Sequence, residues 1–523
     1  MYKAKKILAL AAACCLWVAP AQAKKLTLIY VPLDNRPVCT DYVIQTMAAT
    51  DCKLILPPEK MLANGDKDAN PEAIWEWLQT KAPKADAAVI SSDSLIYGGL
   101  VASRTHEYSS SLLEQRIKRL SELKKALPIK MYIFSTIMRT PRASKGRVEP
   151  PYYSEIGPAL FAYSGILDQA EEHHLKARDQ ILQHVLERNL PKEAVNDWFG
   201  RRAKNLQVNE ELINLSMKNH FHYLAIGKDD NAPLSATHME ARKLAVDSFS
   251  LSKDSFQIID GVDQLGLVLL TKAYNEAHGY SPYVYPLYSP GPGASTLPQY
   301  SDARLQDSVP QQIIAAGGTV ASSPQQADLL LAINTPDNGI VQDSTGDENK
   351  FFPNQANKQF IATLKNDLTK GYKISLADIS YSNGADNGFM HTLANNINLA
   401  ELQAYNGWNT ADNAIGYAIA QGLLAPYMKP EVKEALLKER LIDDWFYQSN
   451  ARQNITAVLE QTNRASLKYD LGNSEAQILA AAIKDCRQLA DQYSFTKGTN
   501  FKLSFPWKRL FEVNVPVKPI KNK

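Results

Sequence analysis

Apolar and polar positions follow one coarse rhythm along the chain as far as Trp408. A short run rich in β-branched residues ends in Asp, Asn or Pro, and a stretch with helical periodicity follows. Residues 26–32, 53–56, 87–91, 130–136, 222–226, 256–259, 283–287, 319–322, 329–333, 373–376 and 402–404 read as strands. Helical spacing fits residues 112–126, 166–189, 264–277, 359–369 and 413–424. Alternation of strand and helix predicts a mostly parallel sheet with helices on both faces. Most of the strand runs are continuously apolar, as burial on both faces requires.

One internal echo suggests two such units. Pro83-Lys84-Ala85-Asp86 precedes a buried run that ends at Ser92-Asp93, and Pro324-Gln325-Gln326-Ala327-Asp328 precedes one that ends at Asn334. Each follows a shorter run, 53–56 or 319–322. Residues 280–293, dense in Tyr, Pro and Gly, mark a lobe boundary or a loop over a site, and residues 343–357 read as a polar surface excursion. After residue 408 the rhythm turns helical, at 430–440, 443–460 and 474–493, and 511–516 reads as a last edge strand or arm. The expected fold is α/β: two Rossmann-like parallel-sheet lobes, residues 24–280 and 281–410, plus a helical C-terminal part, residues 411–523. A (β/α)8 barrel with additions is the alternative, though eleven strands exceed a bare barrel.

Residues 1–23 read as an export signal. Lys3, Lys5 and Lys6 precede an apolar stretch too short to span a bilayer, and Ala21-Gln22-Ala23 supplies small residues for cleavage. Ala13-Cys14 resembles a lipoprotein site, but Ala11 is a poor match to the bulky residue such sites carry. The expectation is a periplasmic or secreted protein with no membrane partner once the signal is cleaved. Removal of the signal turns a net charge of +2 into 54 basic against 55 acidic residues, a net of −1. That balance, with no basic run, argues against a nucleic-acid partner. Cys39, Cys52 and Cys486 remain, an odd number that excludes a disulfide scaffold. Cys39 and Cys52 read equally well as one short-loop bridge or as two buried thiols.

Candidate chemistry gathers behind the strands, where parallel α/β folds bind ligands. The first run leads into Asp34 and Arg36, and the third into Asp93, Tyr97 and Arg104. Arg139 follows the fourth, Asp229-Asp230-Asn231 the fifth and Asp263 the sixth. Asp378, Asn383 and Asp386 follow the tenth run, and Trp408 and Asn409 the last. A single Asp in such a place is a helix cap. So many, with Arg, Asn and aromatics beside them, read as one polar cleft. Paired carboxylates divide labour as acid and base when their surroundings push their pKa values apart. Asp93, Asp229 and Asp230 are the expected reacting acids. Asp34, Arg36, Arg104, Arg139, Asn231, Asp263, Asp378, Asn383 and Asp386 would position substrate, and Tyr97 and Trp408 would stack on a sugar face.

No nucleophile elbow, Walker loop, zinc-protease helix or dinucleotide fingerprint occurs. His220-x-His222 has weak metal-ligand spacing, so no metal ligands are assigned. No organic cofactor is implied, and a divalent cation held by Asp oxygens is the alternative. The expected function is an exported carbohydrate hydrolase, a glycosidase acting on a small-molecule or oligosaccharide substrate. The rivals are a metal-assisted esterase, deacetylase or phosphatase, and a non-enzymatic periplasmic solute-binding protein.

With these residues in view, the chain resembles the bacterial domain of unknown function 4127 family. The motifs that carry the resemblance are Pro32-Leu33-Asp34-Asn35-Arg36-Pro37, Ser92-Asp93 with Tyr97-Gly98-Gly99-Leu100 and Ser103-Arg104, and Ile137-Met138-Arg139-Thr140. Further along are Asp229-Asp230-Asn231-Ala232-Pro233, Ala377-Asp378 with Tyr381-Ser382-Asn383-Gly384-Ala385-Asp386, and Tyr405-Asn406-Gly407-Trp408-Asn409-Thr410. The resemblance implies that these strand-end motifs form one site and supplies no activity. One position departs from the pattern: Asp263-Gln264 stands where an Asp-Glu pair is expected.

Overall fold

The computed structural model describes residues 25–518 except 66, 145 and 146, and the export pattern at residues 1–23 lies outside them. The first sheet is built from β1 (Thr27–Val31), β2 (Lys53–Ile55), β3 (Ala87–Ser91), β4 (Lys130–Ile137), β5 (Tyr223–Lys228) and β6 (Phe256–Asp260). All pair in parallel, in the order β2-β1-β3-β4-β5-β6. Seven more strands follow: β7 (Tyr283–Tyr288), β8 (Thr319–Val320), β9 (Leu329–Asn334), β10 (Gln342–Asp343), β11 (Ile374–Asp378), β12 (Tyr381–Ser382) and β13 (Ala404–Asn406). The second sheet is parallel too, with the order β13-β11-β9-β7-β8, and β10 pairs with β12 apart from it. All eleven predicted runs are strands of the two sheets. The two-residue β10 and β12 are too short to show a period.

The sheets share a winding. In each, the first strand lies between the second and the third, so the chain reverses direction there and opens a crevice at the carboxyl ends. The sequence echo falls on equivalent places. The Asp86 carboxylate accepts the Thr27 N–H at 2.9 Å, and the Asp86 N–H donates to the Thr27 carbonyl at 2.8 Å. Asp328 makes the same two bonds with Tyr283, both at 2.8 Å. Each Asp thus pins the start of the central strand to the strand that follows it.

Three helical expectations change. The stretch at 166–189 is two helices, Tyr153–Glu172 and Ala177–Asn189, because the chain is extended at His173. The long helix Lys192–Met217 escaped notice because Arg201, Arg202, Asn205 and Asn209 sit on its buried face and blur the apolar period. The stretch at 443–460 begins as a π-helix, Leu441–Ala451, every residue of which is buried, and continues as Arg452–Gln461. Such i→i+5 turns commonly mark functional places.

Helix Ala411–Leu424 has no exposed residue. It packs on helix Leu265–Ala277 of the first lobe and on β11 and β13 of the second. One apolar cluster runs through it, joining Leu28 and Tyr30 to Ile415 and Ile419 and on to Leu331 and Ile333. Tyr417 donates its hydroxyl to the carbonyls of Val38 at 2.9 Å and Asp263 at 2.8 Å.

The last residues form an arm instead of an edge strand. Two antiparallel bridges, Phe501 with Val517 and Ser504 with Asn514, close its base. The arm is tied to the first lobe by Trp507 Nε1 donating to Asn35 Oδ1 and Asn514 Nδ2 donating to Asp41 Oδ2, both at 2.7 Å. The π-helix holds its tip: the Tyr447 hydroxyl donates to the Leu510 carbonyl at 2.5 Å and Gln448 to that of Phe511 at 3.0 Å. Cys39, Cys52 and Cys486 are free buried thiols.

Close packing of the central helix gives a test. A Cβ on Gly422 would lie 1.9 Å from Ser375 Oγ on β11. Gly422→Ala is expected to cost about 1–3 kcal/mol, read as a lower urea midpoint. Ser375 Oγ is buried without a hydrogen-bond partner. Adding Ser375→Ala should therefore recover part of the loss.

Candidate functional site

The carboxyl ends of both sheets face one cleft of about 540 Å³. Arg36 reaches it from behind β1, Arg104 from the helix after β3, Arg139 from behind β4, Asp229 and Asp230 from behind β5, and Asp263 from behind β6. The second lobe contributes Asn383 and Asn409. Eight of the fifteen predicted site residues thus line one surface.

Each of these three arginines is held by carboxylates. Arg36 Nε donates to both oxygens of Asp34 at 3.0 Å, and its Nη2 meets Asp263 Oδ1 at 2.5 Å. Arg104 Nη2 lies 2.5 Å from Asp229 Oδ2. Arg139 Nε lies 2.5 Å from Glu149 Oε1, and its Nη1 lies 2.8 Å from Asp230 Oδ2. Removing one partner of a buried pair leaves a costly unpaired charge, so these pairs fix one another's positions. Asn409 reaches across from the second lobe and donates to Asp263 Oδ2 at 3.3 Å.

The acids differ in electrostatic state. Burial, and then the neighbouring Asp229, push the Asp230 carboxyl above the usual carboxylate range. Burial pushes Asp263 up to about 6 against the pull of Arg36. Burial also acts to raise Asp343, but Arg452, Thr345 and Asn383 outweigh it and hold this carboxyl below the usual range. Thr345 Oγ1 donates to Asp343 at 2.6 Å and Asn383 Nδ2 at 2.7 Å. The Tyr300 phenol is raised to about 12 by burial and then by Asp230 and Asp343 together, so it stays protonated in the field of both acids.

Seven predicted residues do not reach the cleft. Asp34 stands behind Arg36 as its anchor. Asp93 is fully buried beneath the cleft, where the Thr136 hydroxyl donates to it at 2.7 Å and burial pushes it up to about 7. Asp93, named as a reacting acid from the sequence, is thus seated beneath the cleft and does not line it, and its Oδ2 has no hydrogen-bond partner. Tyr97 stacks on His106 with ring centres 4.8 Å apart. The Asn231 side-chain oxygen accepts from the Ala232 N–H and the Ser235 hydroxyl. Asp378 accepts from Asn334 and from the Asp386 N–H. Asp386 caps helix Asn387–Asn396 through the Phe389 N–H. Trp408 is buried against Phe511, which does line the cleft.

Residues missed by sequence reasoning complete the walls. Asp343 lies in what read as a surface excursion, and Tyr300 follows the Tyr/Pro/Gly break by seven residues. Arg452 and Lys468 come from the helical C-terminal part, and Trp507 and Arg509 from the arm. Backbone strain marks part of the lining, and of the missed residues it marks Tyr300 alone. Asp230, Tyr300, Asn383 and Asn409 all have left-handed φ, between 28° and 67°, although none is glycine.

Gln264 points away from the cleft and donates to the Asp260 carbonyl at 2.8 Å, so the departure at this position leaves the lining unchanged. His222 pairs with Glu276 at 2.6 Å. Among the described residues, Asp168, Glu172 and His238 form the one group close enough to share a metal ion. Asp168 there already accepts from His238, Arg242 and the Ser235 N–H, which makes the group a clasp between helices.

A family model described as protein of unknown function (DUF4127) matches residues 28–516. The chain belongs to that family. No curated protein matches it. The match spans both lobes and most of the arm. Each of the six family motifs named above supplies at least one residue to the cleft, among them Arg36, Arg104, Arg139, Asp230, Asn383 and Asn409.

Asp93 gives a test of its structural role. The protonated carboxyl's contribution to stability is full below the unfolded-chain value near 3.8 and is gone once pH passes about 7. Asn keeps the acceptor for Thr136 and has no such dependence. Asp93→Asn should therefore gain stability relative to the unsubstituted chain as pH rises from about 4 to 7, then hold that gain. Urea midpoints of both chains across that range check it.

Proposed function

We propose that this chain is an exported hydrolase acting on a carbohydrate, a glycosidase that works with paired carboxylates in the cleft between the lobes. The observation that carries the reading is the pair Asp230 and Asp343. They come from different lobes, line the same cleft, and are biased in opposite directions, Asp230 toward its protonated form and Asp343 toward its ionised form. That division is what glycosidic cleavage needs. Asp230 gives its proton to the leaving oxygen. Asp343 supplies the negative charge that stabilises the sugar carbon as it becomes cationic, and a water molecule then bonds to that carbon and returns a proton to Asp230.

The remaining lining suits a hydroxyl-rich ring. Asn383 and Asn409 offer amide groups, and Tyr300 and Ser144 offer hydroxyls. Arg139 holds Asp230 in place and orients it across the cleft. The pattern of residues 1–23 supports action outside the cytoplasm.

The test is a screen of the purified protein against arrayed glycans and chromogenic glycosides, with and without divalent ions. Asp230→Asn and Asp343→Asn should each lower turnover of any substrate found by about a hundredfold or more while the thermal melt stays within a few degrees. Undiminished turnover in Asp230→Asn sinks the assignment. Activity that appears only with added metal favours the metal-assisted rival.

A further inference from the structure

The two sides of the cleft carry different charge. On the first-lobe side every arginine lining the cleft is paired with a carboxylate, Arg36 with Asp34 and Asp263, Arg104 with Asp229 and Arg139 with Glu149, so all three are neutralised where they stand. On the C-terminal side Arg452 is not. Arg452, Lys468 and Arg509 line the cleft there, and Glu512 is the one acid beside them from that part of the chain. Glu512 pairs with Arg509. Lys468 pairs with Glu460, whose side chain is 54% exposed. A pair so open to water is weak and easily exchanged.

Arg452 forms no salt bridge among the described residues. Asp343, which shares Asn383 with Arg452, feels its charge without a salt bridge to it. Arg452 Nε donates to the Gln448 carbonyl at 3.2 Å and its Nη2 to that of Asn383 at 3.0 Å, which fixes the plane of the guanidinium. The group lies over the Phe511 ring, 5.6 Å from its centre, and Arg509 lies over Trp507 at 5.0 Å. A stacked guanidinium is pre-oriented and presents its free N–H edge to an anion in two-point geometry. Tyr469, 41% exposed at the rim, adds a flat face next to Lys468.

We infer that this side of the cleft is a subsite for an anionic group carried by the glycan, so that the substrate is an acidic oligosaccharide. The inference rests on the carbohydrate reading above. A uronate carboxylate, a sulfate ester and a phosphate ester share the required chemistry: a compact oxyanion next to a ring that stacks on an aromatic face. Arg452 would bind the oxyanion, with Lys468 adding to its neutralisation.

Calorimetry on the full chain carrying Asp230→Asn measures binding without turnover. The probes are an oligogalacturonide and its methyl ester, a sulfated oligosaccharide and its desulfated form, and a hexose phosphate with the free hexose. One acidic member should bind about tenfold or more tighter than its neutral partner, and added salt should erode that preference. Arg452→Gln should remove the preference and leave the neutral partner's binding within about twofold. Lys468→Gln, at the exposed rim, should reduce it by a smaller factor. Equal or absent binding of all the acidic members, or a preference untouched by Arg452→Gln, overturns the inference. Binding of an acidic probe that the unsubstituted chain never cleaves removes the hydrolase reading and keeps the subsite. Cleavage of neutral glycosides with no acidic preference does the reverse.

Discussion

The structure depends on one helix that has no face for water. All fourteen residues of Ala411–Leu424 are buried. An apolar helix of that kind is stable only between two layers that both need covering. Here the layers are the two sheets and the helices on their inner faces, and the apolar cluster passes through the helix from Leu28 to Ile333. Burial of each large apolar side chain contributes about 1.5–3 kcal/mol. The lobes are therefore joined by a core, not by a linker. Their carboxyl ends then face a common space, and Tyr417, on this helix, holds the backbone of Asp263 at the cleft's edge.

Charge is the second constraint, and it follows from the first. A cleft between two buried sheets has walls of low polarisability, where an unpaired ion is costly. The chain meets this by pairing, as with Arg36 between Asp34 and Asp263. Below the cleft Lys228 serves the same end, 3.0 Å from Asp260 and paired also with Asp302. Pairing explains why an Asp behind a strand is a poor guide to chemistry by itself. Asp34 and Asp93 occupy similar places in the sequence rhythm. One clamps an arginine, and the other, with no salt bridge among the described residues, is driven toward its neutral form by burial.

The strands and their order of appearance were legible in the sequence because buried parallel strands are continuous apolar runs with few competitors. The echo around Asp86 and Asp328 was legible for a sharper reason: each Asp makes the same pair of backbone hydrogen bonds, and that demand fixes the residue. Helix Lys192–Met217 was not legible, since its buried face carries Arg202 paired with Glu240 and Asn209 paired with Ser135. In the site, residues that follow strands directly were found. Those that arrive from far along the chain, Arg452 and Trp507 above all, were missed because no local pattern records which surface a helix end or an arm will meet. Of the residues singled out behind the strands, those whose side chains turn inward, such as Asp378 and Tyr97, could not be told from those that turn outward. A turn of one or two residues decides it.

Strain separates the two groups after the fact. Seven described residues other than glycine have left-handed φ, and four of them line the cleft. Asn adopts that conformation at little cost, so Asn383 and Asn409 are modest cases. Asp230 and Tyr300 are not. The Asn231 N–H donates to the Tyr300 carbonyl at 3.0 Å, so the turn behind β5 and the connector behind β7 hold each other in these unfavourable backbone states. A relaxed backbone at either place would swing the Asp230 carboxyl or the Tyr300 phenol out of the field they share. The strain is concentrated where an acid from one lobe and a phenol bordering the other must meet. On the proposed reading, that is the cost of holding the Asp230 carboxyl in place before a substrate arrives.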